Sequence, residues 1–127
     1  MKQILWPLLL TQTTINHREQ LILLIVFIGS GLLWIGISIP LFYRKIGPNR
    51  WCGFRTRKTL ANKEIWFEAN KYMAKDFIIL GCIQILYNLV LIVLPKTLPF
   101  LCAGNMLILI GGTVIILIRS LLYLRKL

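Results

Sequence analysis

Acidic residues are scarce in this chain: four Asp and Glu stand against fifteen Lys and Arg, for a formal charge of +11. Histidine occurs once, at His17, with no ligand partners near it in sequence, and cysteine occurs three times. The cysteine count is odd and no pair has metal-site spacing, which argues against a zinc site and a disulfide framework. Cys82 and Cys102 fall in or beside apolar runs, where cysteine acts as a small apolar residue. Cys52 lies in a loop expected in the cytosol, where thiols stay reduced. The patterns His-Glu-x-x-His and Gly-x-Ser-x-Gly are missing, as is a phosphate-binding glycine loop. A nucleophile at Cys52 would need a base, and the one histidine is expected across a membrane from it. The sequence reads as a non-enzyme with no cofactor and no metal.

Apolar residues are abundant. The chain has 127 residues, 57% of them hydrophobic, and its mean hydropathy is +0.76. Soluble domains carry roughly 45–50% apolar residues. The excess falls in three runs, about 21–43, 77–94 and 100–118, and runs of about 18 or more apolar residues read as membrane spans. The expected fold is all-α: one integral membrane domain over 21–127 with three transmembrane helices, plus a basic loop and amphipathic helix over 44–76. Residues 1–20 are expected to form an interfacial N-terminal segment. The apolar patch 4–10 is interrupted by Pro7 and lacks a small-residue cleavage site, so it reads as interfacial, with Trp6 at the surface, rather than as a leader.

Polar and small residues mark the spans. Gly29, Ser30, Gly31 and Gly36 in the first run offer close helix contact. Pro40 should kink or end that helix. Gln84, Tyr87 and Asn88 lie on one side of the second span, and Asn105 opens the third. An unsatisfied amide is costly in hydrocarbon, so these groups should face protein and join helices. Pro95, Lys96 and Pro99 suggest a short turn between the second and third spans.

Gly47-Pro48-Asn49 is loop chemistry. Thr59 or Asn62 can cap a following helix, about 60–75. There Ile65, Trp66, Ala69, Tyr72 and Met73 recur at three-to-four spacing among Lys63, Glu64, Glu68, Lys71 and Lys75. This amphipathic pattern predicts a helix in the interface, with Trp66 and Tyr72 at headgroup depth, or one that continues into the second span. The first loop carries Arg44, Lys45, Arg50, Arg55, Arg57, Lys58, Lys63, Lys71 and Lys75; the second carries only Lys96. Lys and Arg favour the cytoplasmic side, which places the N-terminus outside and the tail inside. Because the cations flank apolar runs, the expected partner is anionic lipid rather than nucleic acid. Arg44, Lys45, Arg57 and Lys58 are the headgroup candidates.

Pro48-Asn49, Gly53, Arg55-Thr56, Thr59-Leu60, Asn62, Trp66 and Asn70 together resemble the SdpI family of bacterial membrane proteins. Gly81 also fits its pattern. A glycine common after the Asn is replaced by Tyr72, Met73 and Ala74 here. The resemblance implies a bacterial plasma-membrane protein. The family is named for an immunity protein that protects against a secreted toxic peptide and recruits a transcriptional repressor. It implies a peptide or protein partner met by Pro48, Asn49, Gly53, Arg55, Thr56, Thr59, Asn62, Trp66 and Asn70. The alternative is a small accessory subunit of a larger membrane complex. Arg55 could bond loop carbonyls, pair with Glu64 or Glu68, or join Arg57 and Lys58 in gripping an anion. Trp66 could anchor in the interface while Asn70 ties helix to loop, or both could contact a ligand.

Overall fold

The computed structural model describes residues 16–93 and 98–127, with side chains from 101 in the latter. The expectations for Trp6, for most of the N-terminal segment and for Pro95 and Lys96 lie outside the described residues. Regular structure among the described residues is entirely helical. Helix α1 is His17–Phe42, α2 is Arg57–Ala61 and α3 is Lys63–Val93. The third rod comprises α4 (Leu98–Met106), one wide π turn (Leu107–Gly111) and α5 (Gly112–Leu124). Three helices, His17–Phe42, Lys63–Val93 and Leu101–Leu124, are long and apolar enough to cross a membrane, so the chain is a multi-pass membrane protein.

Helix α1 begins four residues before the expected first span and runs two residues beyond Pro40. Pro40 lies in its last turn, and the helix closes just beyond it. The Lys45 amide donates to the Pro40 carbonyl at 2.9 Å and the Arg44 amide to the Leu41 carbonyl at 3.2 Å. This double bond pattern closes a helix when the residue after the cap is left-handed. Arg44 takes that conformation, with φ of 57°. Pro99 sits in the first turn of α4, where a missing N–H costs nothing.

Helix α3 is the central element. Helices α1 and α5 both pack on it. Of the small residues in α1, Gly31 makes the close approach. A methyl on Gly81 would come within 2.6 Å of the Gly31 carbonyl oxygen, and one on Gly31 within 2.9 Å of the Gly81 carbonyl. Gly29 and Gly36 face open space. The Trp34 and Phe77 rings stack at 4.7 Å along the same seam. The third rod meets α1 through Leu24, Phe27 and Leu101. It meets α3 through Phe77, Leu80, Ile116 and Leu124.

An amide cluster fastens the third rod inside the apolar zone. Gln84, Asn88 and Asn105 are all fully buried. Gln84 Nε2 donates to Asn105 Oδ1 at 2.5 Å, and Asn88 Nδ2 donates to the same oxygen at 2.8 Å. Asn105 Nδ2 returns a bond to Asn88 Oδ1 at 3.2 Å. These side chains face protein, as the cost of bare amides in hydrocarbon requires.

The amphipathic stretch 60–75 does not form one separate surface helix. Residues 57–61 make the short turn α2. From Lys63 onward the chain runs unbroken into the second span, so it rises with that span instead of lying flat.

Candidate functional site

The loop 43–56 and helix α2 fold back over the first turns of α3, and the bonds that hold them use the motif residues. Asn49 Oδ1 accepts the amides of Trp51 and Cys52, both at 2.8 Å. Its Nδ2 donates to the Gly47 carbonyl at 2.8 Å. Short polar side chains often close turns in this way. Arg55 donates to the Arg50 carbonyl, so it is the carbonyl-binding reading of Arg55 that the structure displays.

Thr56 caps α2. Its Oγ1 accepts the Thr59 amide at 3.2 Å, and Thr59 Oγ1 accepts the Thr56 amide at 2.8 Å. This is a reciprocal capping box. The cap is thus Thr56, whose backbone is extended (φ −127°, ψ 167°), while Thr59 lies inside the helix and is fully buried. Thr59 Oγ1 also donates to the Phe54 carbonyl at 3.1 Å. Asn62 caps α3 by accepting the Glu64 amide at 2.9 Å and the Ile65 amide at 3.3 Å.

Two residues of α3 complete the clasp. Asn70 Oδ1 accepts the Phe54 amide at 2.5 Å, and its Nδ2 donates to the Trp66 carbonyl at 3.0 Å. Trp66 is fully buried, and its Nε1 donates to the Ile46 carbonyl at 3.0 Å. Trp66 therefore does not face lipid as a bare interfacial anchor: the loop covers the indole and supplies its acceptor. Gly53 lies against both residues with φ of 102°. A methyl there would meet Asn70 Oδ1 at 2.5 Å and Trp66 Cζ2 at 3.1 Å, so both backbone and space require glycine.

Charges complete the arrangement. Arg44 pairs with Glu64 at 3.3 Å and also with Glu68, which answers the two acids from within the basic loop. Lys58 Nζ donates to the Leu124 carbonyl at 3.0 Å, tying the clasp to the end of α5. Pro48, Lys45, Arg50 and Arg57 are exposed. Trp51, at the loop tip, is 93% exposed. Pattern reasoning missed it, although its position was a signal: one tryptophan among cations, outside any helical spacing. Cys52, Cys82 and Cys102 are free thiols.

The sequence profile described as the SdpI/YfhL protein family matches residues 45–124, which takes in the clasp and the second and third spans. The chain belongs to the SdpI/YfhL family. It is also 40% identical over 57 residues to YfhL of Bacillus subtilis (strain 168), itself described as an uncharacterized protein. That alignment covers 44% of this chain and 51% of the relative, so the chain matches about half of the relative's length. No solved structure matches the chain. In this SdpI/YfhL protein the polar motif residues act first on one another. They build a hydrogen-bonded loop, and the side chains left for outside contact are mostly those between them.

Proposed function

We propose that this protein is a non-enzymatic docking protein of the plasma membrane, of the immunity or signalling type, which holds a peptide or protein partner on its basic loop. The loop faces the cytoplasm in this reading, since the Lys and Arg excess favours that side. The supporting observation is Trp51. A tryptophan 93% exposed on a loop fixed by Asn49, Arg55 and Asn70 loses little freedom on binding. Trp and Arg are the side chains that most often dominate protein interfaces. Exposed Arg50, Arg55 and Arg57 surround it in sequence, so an acidic partner segment fits best.

The test is crosslinking at the loop tip in native membranes. With a photo-reactive residue in place of Arg57, a discrete crosslinked partner is expected. Trp51→Ala should reduce that product about tenfold or more, as the loss of an interface anchor would, without altering thermal stability. Labelling unaffected by Trp51→Ala would overturn the reading.

A second reading, an accessory subunit of a larger complex, draws on the third rod, whose most apolar stretch is only 17% buried within the chain. Crosslinks confined to that rod, with none from the loop, would favour it.

A further inference from the structure

We propose that the loop end of the bundle holds the headgroup of one anionic phospholipid between Lys71 and Lys75, against the stacked rings of Tyr72 and Tyr123. The cations named in sequence as headgroup candidates are partly engaged: Arg44 by Glu64 and Glu68, Lys58 by the Leu124 carbonyl. Lys71 and Lys75 are exposed and line a cleft of about 190 Å³ where α1, α3 and α5 converge.

The cleft has the parts that a lipid phosphate needs. Tyr72 and Tyr123 stack at 4.1 Å with planes 6° apart, forming a flat wall. The Tyr72 hydroxyl accepts from Arg119 at 3.2 Å, which leaves its own proton to donate. Lys71 Nζ stands 5.6 Å from the centre of the Phe42 ring, so that cation is held at the rim rather than dispersed in solvent. Glu68 is the acid in the lining, and Arg44, shared with Glu64, pairs with it.

Depth selects lipid over a soluble anion. Helix α1 ends at Phe42 and α5 at Leu124, so the cleft marks the level where hydrocarbon gives way to headgroups. Tyr and Lys are the side chains suited to that level. Ile39, one turn inward from Phe42, and Ile79, one turn inward from Lys75, are 44% and 48% exposed. Both helices thus present exposed apolar surface to acyl chains one turn inward.

The experiment is native mass spectrometry of the full chain in detergent, titrated with phosphatidylglycerol or phosphatidylcholine of matched acyl chains. One phosphatidylglycerol should bind at least about tenfold more tightly than phosphatidylcholine. Lys71→Gln with Lys75→Gln should abolish that preference. The charge-matched pair Arg125→Gln with Lys126→Gln should leave it within about twofold. Tyr72→Phe, which keeps the ring, should weaken phosphatidylglycerol a few-fold. Equal losses in both charge-matched pairs would mean a diffuse field and overturn the site. Displacement by millimolar inorganic phosphate would mean a simple anion pocket and also overturn it. So would an acidic peptide that needs Lys71 and Lys75 while lipid binding does not. Trp51→Ala should leave lipid binding unchanged, so this proposal and the docking reading fail separately.

Discussion

Asn70 on α3 accepts the backbone amide of Phe54, sixteen residues earlier, at 2.5 Å. Asn70 is 1% exposed and Phe54 8%, so no water replaces that bond if it is lost. A buried donor left without an acceptor costs about 1–3 kcal/mol. Asn70→Ala should therefore loosen the loop by that amount while the spans persist. Limited trypsinolysis at Arg50 and Arg55 checks this: cleavage should speed up about fivefold or more, since about 1.4 kcal/mol of local opening is tenfold in population and 1 kcal/mol about fivefold. An unchanged cleavage rate would show that the bond does not hold the loop.

Gly53→Ala should be at least as damaging. It puts a side chain at φ of 102° and drives it onto Asn70 Oδ1 and Trp66. Strain in such backbone regions is of order 1–3 kcal/mol, and the clash adds to it. Thermal unfolding in detergent should show a clear drop, and Trp66 fluorescence should shift red as the indole loses its cover. Gly47→Ala, where a methyl meets open space, is the matched control and should lose little.

Arg44 sets two small effects against each other. Its left-handed backbone (φ 57°) costs a non-glycine residue roughly 1–2 kcal/mol. Its pairs with Glu64 and Glu68 involve side chains 34–72% exposed, and solvated ion pairs contribute about 0–1 kcal/mol. Arg44→Gly should thus be neutral or slightly stabilising in a melt, whereas Arg44→Ala, which keeps the strain and loses the pairs, should destabilise. Raising salt should narrow the difference between wild type and Arg44→Ala.

Asn105→Leu tests how the third rod is held. It removes the acceptor shared by Gln84 and Asn88. Interhelical hydrogen bonds in membranes contribute about 0.6–2 kcal/mol, so overall stability should fall modestly. The selective readout is Cys102, half-buried on the same helix. Its labelling by a membrane-permeant maleimide should accelerate more than that of Cys52 in the loop.

The three spans are legible because each is an apolar run of about the length a bilayer requires. The grouping of Gln84, Asn88 and Asn105 was legible because bare amides in hydrocarbon are too costly to leave apart. Residue type and spacing offer Asn62 as one of two caps and Asn70 as a tie or a ligand contact; the bonds to Glu64 and Phe54 select the cap and the tie. The cover over Trp66 is not legible, because amphipathic spacing marks an apolar stripe without saying what covers it. Here the cover is a loop folded back from earlier in the chain. The cap at Thr56 was hidden because Thr56 and Thr59 both fit the role, and the extended backbone of Thr56 decides between them. The exposure of Trp51 at a loop tip depends on bonds made by Asn49 and Arg55, which periodicity does not register.

Helix α3 carries Trp66 and Asn70 near one end and Gln84 and Asn88 toward the other, with no break between. It can therefore serve as a stiff lever. Trp66 and Asn88 are 22 positions apart, roughly 33 Å along a helix axis. A tilt of only about 5° imposed at the clasp would swing Asn88 sideways by about 3 Å, as long as the bond that joins it to the third rod. A partner that tilted α3 on binding the loop would therefore strain the amide cluster that α3 shares with the third rod.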